Sequence, residues 1–341
     1  MKAMVLCAGF GTRLRPLTDA VPKPLVPLCG LPLVQFNFAL LRGAGVREVV
    51  INTHHLAPAM EKGARAIAAE LGLGIEVLEE KRHILGTGGG VRNAASLLSG
   101  GPFFLLNGDM LFDVDLAAAL EAHQQAKAVA TMVLAPYPPG ASYGAVEIDP
   151  QSNVRRIVGR GVAGDLPLTR CHFTGVHVLE PEVLSRLPAE GQSDINRTAY
   201  VRLIQEGAKV LGYLQDGAWA DLGAPPQLLA SNLDVLEGRV PLTRFQGADP
   251  WAGTKEVAPR VFVHETARLA EGVTLQGPLL VLAGAQIAHG AKLGPGVVIG
   301  HNVRVDAGVT VEQTMVWDQT HLGPGERLQR AIAAPGVRLE A

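Results

Sequence analysis

The chain has 341 residues, of which 48% are hydrophobic, and this predicts one large globular domain or two of ordinary size. Its 30 basic and 32 acidic residues leave a formal net charge of -2, so bulk charge gives no reason for a nucleic acid or an anionic membrane as a partner. The 3 cysteines are widely separated and form neither a disulfide framework nor a zinc motif. Because no apolar run reaches the length of a membrane span and no export signal is present, we expect a cytoplasmic protein.

Up to residue 240 the sequence alternates short β-branched apolar runs with longer amphipathic runs. This alternation is typical of stacked βα units, and it predicts an α/β domain of Rossmann-like architecture with a mixed, mostly parallel sheet. The predicted strands span residues 2–8, 48–52, 75–79 and 103–106. The predicted helices span residues 33–42, 58–71, 89–98 and 115–125, and Asp115 is placed to cap the last of them.

Residues 241–256 contain proline, glycine and polar residues without periodicity, which indicates a linker. In residues 257–341 a branched aliphatic residue recurs every six positions. Neither a helix nor a single strand has this period, but a triangular coil has it when each face contributes one six-residue strand and turn. We therefore predict a left-handed parallel β-helix of hexapeptide repeats, with a capping segment after Trp317. The repeating positions are Val263, Leu269, Leu275, Val281, Ile287, Leu293, Ile299, Val305 and Val311.

A glycine-rich loop follows the first predicted strand and reads Gly-Phe-Gly-Thr-Arg over residues 9–13. Gly9 and Gly11 allow backbone N–H groups to approach the oxygens of a triphosphate, and Arg13 offers those oxygens a planar fork of donors. Lys23 adds a point charge, and the proline on each side of it restricts its backbone. The loop is neither a P-loop nor a dinucleotide fingerprint, because no Gly-Lys-Ser/Thr ends it and Leu14 replaces the third glycine.

Two aspartates are candidate metal ligands. Asp109 follows Leu-Asn-Gly at the end of an apolar strand, where ligands gather in open α/β sheets, and Asp221 lies in Trp-Ala-Asp-Leu-Gly-Ala-Pro. A carboxylate at a strand end can hold Mg²⁺, which supplies the charge neutralisation that phosphoryl-type transfer requires. The alternatives are a turn residue for Asp109 and a helix entry for Asp221.

A second glycine run reads Leu-Gly-Thr-Gly-Gly-Gly-Val over residues 85–91 and opens a predicted helix. Its backbone N–H groups and missing side chains leave room for a flat group against the backbone. The alternative is a helix start that only packs closely.

The pattern Gly-x-Gly-x-Arg-x-x-Pro-x-Thr, followed by Pro-Lys-Pro, resembles the signature of the sugar-1-phosphate nucleotidylyltransferases. This family includes mannose-1-phosphate guanylyltransferases and N-acetylmuramate-1-phosphate uridylyltransferases. The resemblance implies that residues 1–240 form a catalytic domain that joins a nucleoside triphosphate to a sugar 1-phosphate with Mg²⁺, and a β-helix tail is familiar in the same group. It implies catalytic roles for Arg13 and Lys23 and metal binding by Asp109 and Asp221. It implies nucleotide contacts for Leu6, Ala8, Gly9, Gly11, Thr12, Gly88 and Gly89, and sugar contacts for Tyr143, Gly144, Thr174 and Gly175.

The resemblance is weaker in the segments that contact the sugar. The Glu-Lys-Pro motif of many relatives is absent, and their Asn-Ala-Gly step reads Phe173-Thr174-Gly175. Arg160 or His172 could supply the missing charge, and the alternative is that both are solvated loop residues. These differences concern the identity of the substrate and not the reaction.

A catalytic domain followed by hexapeptide repeats resembles the guanylyltransferases, so we expect GTP and mannose 1-phosphate as substrates. The alternatives are UTP with N-acetylmuramic acid 1-phosphate, or another hexose or heptose 1-phosphate. A regulatory subunit that binds nucleotide sugars without turnover and a pure scaffold are alternatives from other classes. The tail is expected to stabilise the protein or to form a homo-oligomer, and an acyltransferase with a histidine base is the alternative.

Overall fold

The computed structural model describes residues 1–138, 144–162, 164 and 166–341. The chain folds into two compact units, one made of Met1–Phe10 and Asn37–Trp219 and the other of Gly11–Phe36 and Ala220–Ala341. The segment that carries Arg13 and Lys23 therefore belongs to the same unit as the hexapeptide repeats. The predicted domain limits at residues 240 and 257 remain a prediction. Within the described ranges, no helix combines the length and the apolar character needed to cross a membrane.

Helices alternate with strands as far as residue 236, and the elements after it are all strands. The helices are α1 (Leu33–Gly43), α2 (Ala57–Glu70), α3 (Gly86–Asn93), α4 (Ala95–Leu98), α5 (Leu116–Ala126), α6 (Ala199–Gln205) and α7 (Pro225–Leu236). The first strands are β1 (Lys2–Leu6), β2 (Pro27–Leu28), β3 (Leu31–Pro32), β4 (Glu48–Thr53), β5 (Gly74–Glu79), β6 (Phe103–Asn107), β7 (Met110–Phe112), β8 (Ala130–Pro136), β9 (Val146–Ile148), β10 (Val154–Ile157), β11 (Arg160–Gly161), β12 (Thr169–Leu179), β13 (Val210–Leu214) and β14 (Trp219–Asp221). The later strands are β15 (Thr254–Ala258), β16 (Val261–His264), β17 (Arg268–Leu269), β18 (Thr274–Leu275), β19 (Leu279–Val281), β20 (Gln286–Ile287), β21 (Lys292–Leu293), β22 (Val297–Ile299), β23 (Arg304–Val305), β24 (Thr310–Val316), β25 (His321–Leu322), β26 (Arg327–Ala334) and β27 (Val337–Glu340).

The first unit is organised around a 10-stranded sheet in which β11-β10-β9-β12-β6-β1-β4-β5 are neighbours, with β8 joining β12 to β13. β6, β1, β4 and β5 run parallel, whereas β12 pairs antiparallel with β6, β8 and β9. The α/β fold and the mixed sheet are therefore confirmed, but parallel pairing is less general than predicted. The long strand β12 accounts for this difference, since it runs antiparallel to three neighbours. An apolar pattern predicts that a strand forms but not in which direction it runs.

The predicted helices and strands are observed, with shifts at their ends. Asp115 caps α5 as predicted, since its side chain accepts a hydrogen bond from the N–H of Ala118 at 2.9 Å. The helix predicted over residues 89–98 begins earlier, at Gly86, and is interrupted at Ala94. Gly86 has a φ of 73°, a conformation that glycine adopts without strain and that an apolar pattern does not reveal.

The second unit contains a parallel β-helix. Val261 pairs with Leu279, and Leu279 pairs with Val297, so paired residues are 18 positions apart. Eighteen residues are three hexapeptides, which means that each turn of the coil has three sides. All the repeating aliphatic positions are buried except Leu269 and Leu275, which lie in the first turn. The predicted β-helix is confirmed as a parallel coil, and its left-handedness remains a prediction.

The 18-residue register of the coil changes close to the position where the repeat was predicted to end. Val297 pairs with Thr314, a separation of 17 residues, and Gln313 has a φ of 44°. β26 pairs in parallel with β24 and antiparallel with β27. Parallel stacking therefore continues past Trp317 as far as Ala333, and a capping role for the hairpin of β26 and β27 remains a prediction.

The burial of the repeats predicts a large loss of stability when one of them is shortened. Ile299 is fully buried in β22, and Ile299→Ala should lower the free energy of unfolding by about 2–5 kcal/mol because it leaves a cavity. Urea denaturation measures the change. The exposed neighbour variant Lys292→Ala should change it by less than about 0.5 kcal/mol, and equal losses in the two variants would contradict a packed core.

Candidate active site

The carboxyl ends of β1, β4 and β6 lie side by side, since Leu6 pairs with both Asn52 and Asn107. Ligands gather at this edge of an open α/β sheet. Gly108 follows β6, and its N–H donates to the carbonyl oxygen of Leu6 at 3.0 Å. A Cβ on Gly108 would lie only 2.8 Å from the same oxygen, so glycine is required there. This close approach places Asp109, the predicted metal ligand, beside the loop that follows β1.

The thiol of Cys7 lies close to the residue that precedes Asp109, because a Cβ on Gly108 would be 2.9 Å from Sγ of Cys7. Cys7 is buried, and burial together with the negative charge of Asp109 raises the pKa of its thiol. Because the thiolate is the reactive form, Cys7 remains an inert thiol that packs in the core.

A chain of buried hydrogen bonds connects the loop after β1 with the second glycine run. Asn52 accepts from the N–H of Cys7 at 2.9 Å and donates to Oε1 of Glu80 at 2.7 Å. Oε2 of Glu80 accepts from the N–H of Leu85 at 2.6 Å. A Cβ on Gly90 would lie 2.8 Å from Nδ2 of Asn52, so α3 packs directly on this pair. Asn52 and Glu80 were not predicted from the sequence, because their only signals are a polar residue at a strand end and an acidic residue before a glycine run.

The second glycine run is packed tightly at the start of α3. The N–H of Gly88 donates to the carbonyl oxygen of Ser193 at 2.9 Å, and a Cβ on Gly88 would lie 2.7 Å from Oγ of Ser193. A Cβ on Gly89 would lie 2.9 Å from Cβ of Leu85. Close packing therefore accounts for both glycines, and the nucleotide contact of Gly88 and Gly89 remains a prediction.

The predicted sugar-binding step lies in β12. The hydroxyl of Thr174 donates to the carbonyl oxygen of Val133 at 2.8 Å, and the carbonyl oxygen of Thr174 accepts from Nε1 of Trp219 at 2.8 Å. Thr174 is fully buried, and Gly175 has a φ of 93°. The hydroxyl hydrogen of Thr174 is thus used inside the sheet, and a sugar contact by Thr174 or Gly175 remains a prediction.

The other candidates for the sugar site differ in exposure. Tyr143 lies outside the described residues, and Gly144 is exposed. Arg160 is also exposed, on β11. His172 is buried, and its ring centroid lies 4.2 Å from that of Trp219. The alternative interpretation was that Arg160 and His172 are both solvated. The structure agrees with it for Arg160 but not for His172.

Hydrogen bonds from a nearby backbone N–H and a nearby side chain fix the conformation of the first glycine loop at Gly11. In the second unit, the carbonyl oxygen of Gly11 accepts hydrogen bonds from the N–H of Leu14 at 2.9 Å and from the hydroxyl of Thr18 at 2.8 Å. Gly11 has a φ of 63°, and a Cβ there would lie 2.9 Å from Cγ2 of Thr18. This explains the spacing of the motif, because Thr18 needs a glycine to pack against.

The remaining residues of this loop that were predicted to contact the nucleotide differ in exposure. Ala8 is buried and Leu6 is half-buried, whereas Gly9 and Thr12 are exposed. Among the described atoms, none lies within 4 Å of a Cβ built on Gly9. Gly9 therefore leaves open space beside the backbone, as a phosphate-binding loop requires.

The side chain of Asp221 lies between two cations of the second unit. Its Oδ2 is 3.5 Å from Nη1 and Nη2 of Arg13, and its Oδ1 is 3.9 Å from Nζ of Lys23. The side chains of Asp221 and Lys23 are 8% and 7% exposed, whereas that of Arg13 is 62% exposed. A carboxylate that is removed from water needs nearby partners, and here the partners are two cations. Arg13 is accessible to a phosphate from solvent.

Gly223 makes this approach possible, because a Cβ there would overlap the guanidinium of Arg13 and lie 2.7 Å from Oδ1 of Asp221. Within the described residues, Oδ1 of Asp221 accepts no hydrogen bond. A buried carboxylate oxygen with spare acceptor capacity suits Mg²⁺, which is commonly held by one or two carboxylates plus substrate phosphates. In the part of the chain that the structure describes, no group of three or more His, Cys, Asp or Glu is arranged so that it could hold a metal ion by itself.

Comparison with known proteins agrees with this chemistry. Residues 2–238 match the family model described as nucleotidyl transferase, and the mannose-1-phosphate guanylyltransferase of Mycobacterium tuberculosis is 31% identical over 85% of this chain and 77% of its own length. The chain belongs to the sugar-1-phosphate nucleotidyltransferases. The UTP–glucose-1-phosphate uridylyltransferase of Synechocystis is 28% identical over 96% of this chain and 86% of its own length. The N-acetylmuramate α-1-phosphate uridylyltransferase of Neisseria meningitidis is 35% identical over 65% of this chain and 93% of its own length.

As a sugar-1-phosphate nucleotidyltransferase the protein is an enzyme, which confirms the predicted family and class of activity. Nucleotidyltransferases of this family generally use a divalent metal ion. The named relatives differ in both nucleobase and sugar, so membership of the family leaves the substrate pair open.

The buried bonds of Glu80 predict that Glu80→Gln destabilises the nucleotidyltransferase. The amide cannot accept at both of its ends, so one of the two N–H donors, from Asn52 or Leu85, would face an NH₂ group. We expect the free energy of unfolding to fall by about 1–3 kcal/mol, measured by urea denaturation. The exposed neighbour variant Glu79→Gln is the control, and a stability of Glu80→Gln equal to that of Glu79→Gln would contradict the assigned hydrogen bonds.

Proposed function

We propose that the enzyme converts GTP and mannose 1-phosphate into GDP-mannose and pyrophosphate. The main support for this reaction is the cluster of Arg13, Lys23 and Asp221. In this cluster a mostly buried carboxylate lies between an exposed cation and a buried one. The relative from Mycobacterium tuberculosis, named a mannose-1-phosphate guanylyltransferase, supports the choice of substrates. Its match covers 292 residues and therefore extends beyond the 237 residues of the family model, 2–238.

In the proposed reaction a phosphate oxygen of the sugar 1-phosphate attacks the α-phosphorus of the nucleotide. A new bond forms between them, the bond from the α-phosphorus to the oxygen that bridges to the β-phosphate breaks, and pyrophosphate leaves with its electron pair. No covalent bond to the enzyme is formed. Arg13 and Lys23 would hold the triphosphate in line and stabilise the charge that develops on its oxygens. The glycine loop around Gly9 and Gly11 would turn backbone N–H groups toward the same oxygens.

The metal ion is part of the proposal. Asp221 offers a buried oxygen without a hydrogen bond, and Asp109 lies at the carboxyl end of β6. The family resemblance implies that both hold Mg²⁺, which when bound neutralises phosphate charge. Removing the metal with a chelator should then abolish turnover.

The main alternative is UTP with N-acetylmuramic acid 1-phosphate. It is supported by the relative from Neisseria meningitidis, which is 35% identical, and by the absent Glu-Lys-Pro motif. Against it, that match covers 65% of this chain, whereas the guanylyltransferase match covers 85%. Another hexose 1-phosphate, such as that of the relative from Synechocystis, is a further alternative.

We also propose that the β-helix supports a homo-oligomer, as stacked repeats commonly do.

The test is pyrophosphate release from four nucleoside triphosphates, each combined with mannose, glucose, N-acetylglucosamine, N-acetylmuramic acid or heptose 1-phosphate and Mg²⁺. Turnover of GTP with mannose 1-phosphate, lost in Asp109→Asn but retained in the exposed variant Glu70→Gln, is the expected result. Turnover of a different pair would replace the proposed substrates. Nucleotide-dependent thermal stabilisation without turnover of any pair would overturn the proposal in favour of a regulatory subunit.

The packing of Gly223 gives a test of Arg13. In Gly223→Ala the new methyl group would displace the guanidinium of Arg13, so kcat/KM should fall by about 10- to 100-fold. Most of this loss should vanish in the double variant with Arg13→Ala, because the displaced guanidinium is already missing and only the contact with Oδ1 of Asp221 remains. Gly323→Ala is the control, since a Cβ there would meet no described atom within 4 Å. Additive losses in the double variant would show that Gly223 acts independently of Arg13.

A further inference from the structure

Lys23 is followed immediately by a short hairpin. The N–H of Val26 donates to the carbonyl oxygen of Lys23 at 3.1 Å, and β2 then pairs antiparallel with β3. The two residues between these strands are Cys29, with a φ of 48°, and Gly30, with a φ of 84°. Positive φ at both turn positions is what the preferred two-residue hairpin turns of type I′ require. We call residues 23–32 the Lys23 hairpin.

A buried side chain from another helix holds the turn of the Lys23 hairpin. Oδ1 of Asn232 accepts from the N–H of Cys29 at 2.7 Å, and Nδ2 of Asn232 donates to the carbonyl oxygen of Leu228 at 2.8 Å. The thiol of Cys29 donates to the backbone oxygen of Asn232 at 3.5 Å. Asn232 is 1% exposed and Cys29 is fully buried. Loss of this amide would therefore leave a buried N–H without an acceptor.

The helix that carries Asn232 also follows Asp221 in the chain. Asp221 ends β14, and α7 begins at Pro225. Lys23 and Asp221 form the 3.9 Å ion pair. Lys23 precedes Cys29 in the hairpin, and Asp221 precedes Asn232 in the chain, so the hydrogen bond between Cys29 and Asn232 links the two segments that carry the pair. This bond fixes the backbone of the hairpin relative to that of α7.

The β-helix supports the other side of the same turn. A Cβ on Gly30 would overlap the side chain of Leu282 and lie 3.7 Å from Cε1 of His301. Leu282 is buried, and Oδ1 of Asp318 holds His301 by accepting from its backbone N–H at 2.7 Å. A cavity of about 10 Å³, roughly enough for one water, is lined by Pro27 and Gly30 among others. The turn is therefore packed between α7 and the coil.

We propose that Asn232 is a positioning residue for the nucleotidyl transfer and that it acts through Lys23. By holding Cys29, Asn232 sets where the Lys23 hairpin lies and so where the ammonium of Lys23 meets the triphosphate. Leu282 of the β-helix contributes to the same placement by filling the space under Gly30. This inference rests on the proposed role of Lys23 in holding the triphosphate. It gives the β-helix a part in the reaction in addition to its part in stability.

The experiment is a double-mutant cycle between Asn232→Leu and Lys23→Met, with kcat/KM and the nucleotide dissociation constant measured by calorimetry as readouts. Asn232→Leu alone should lower kcat/KM by about 10- to 100-fold, because a small misplacement of a charged group has effects of this size. In the Lys23→Met background it should change kcat/KM and nucleotide affinity by less than about 3-fold, since coupled residues are not additive. The control is Ser231→Ala, because the hydroxyl of buried Ser231 donates to the carbonyl oxygen of Gln227 in its own helix, at 2.9 Å. It should be close to neutral in both backgrounds.

Equal losses from Asn232→Leu in both backgrounds would overturn the inference, because a general defect in folding does not depend on Lys23. Unchanged activity of Asn232→Leu would overturn it as well. If Asn232→Leu does not fold, Leu282→Ala tests the same turn from the β-helix, and its smaller loss should also vanish with Lys23→Met. Failure of the proposed function gives a different result, in which Lys23→Met alone leaves both turnover and nucleotide affinity unchanged.

Discussion

The cost of burying a carboxylate shapes both compact units. Glu80 is 3% exposed, and its two oxygens accept from Asn52 and from the N–H of Leu85. The side chain of Asp221 is 8% exposed, but its neighbours are the cations of Arg13 and Lys23, and its Oδ1 accepts no hydrogen bond from a described residue. A fully satisfied buried carboxylate rigidifies a structure, whereas one with spare acceptor capacity can bind a ligand. Glu80 is therefore a structural group, whereas Asp221 keeps the acceptor capacity that the proposed metal site needs.

Glycine makes the close approaches in each unit possible. Gly108 brings the end of β6 against the carbonyl oxygen of Leu6, and Gly223 lets the guanidinium of Arg13 approach Asp221. A Cβ on Gly108 would displace the following residue, Asp109. A Cβ on Gly223 would displace the guanidinium of Arg13, which faces it. The glycines of the second run have another function, because Gly88 packs on Ser193 and donates its N–H to that residue. A glycine-rich sequence thus predicts that some group approaches the backbone closely. It does not show whether that group belongs to a ligand or to another segment of the chain.

The β-helix combines a regular core with one specific contact. Its 18-residue register stacks aliphatic side chains in an interior that needs no precise partner elsewhere. Leu282, by contrast, packs against Gly30, in the turn that follows Lys23. Repeats of this kind are usually seen as scaffolds that supply stability by stacking. In this enzyme the coil also limits where the backbone after Lys23 can lie.

The sequence by itself determined the features that depend on local order. The six-residue period predicted the β-helix because each side of the coil is a contiguous hexapeptide, and the cap at Asp115 was predicted because its partner, Ala118, is three residues away. Tertiary structure alone decided which distant residues meet. Asn52 with Glu80 and Asn232 with Cys29 are separated by 28 and 203 residues, and no local pattern marks such pairs. The antiparallel pairing of β12 and the inward hydroxyl of Thr174 were likewise decided by neighbouring strands.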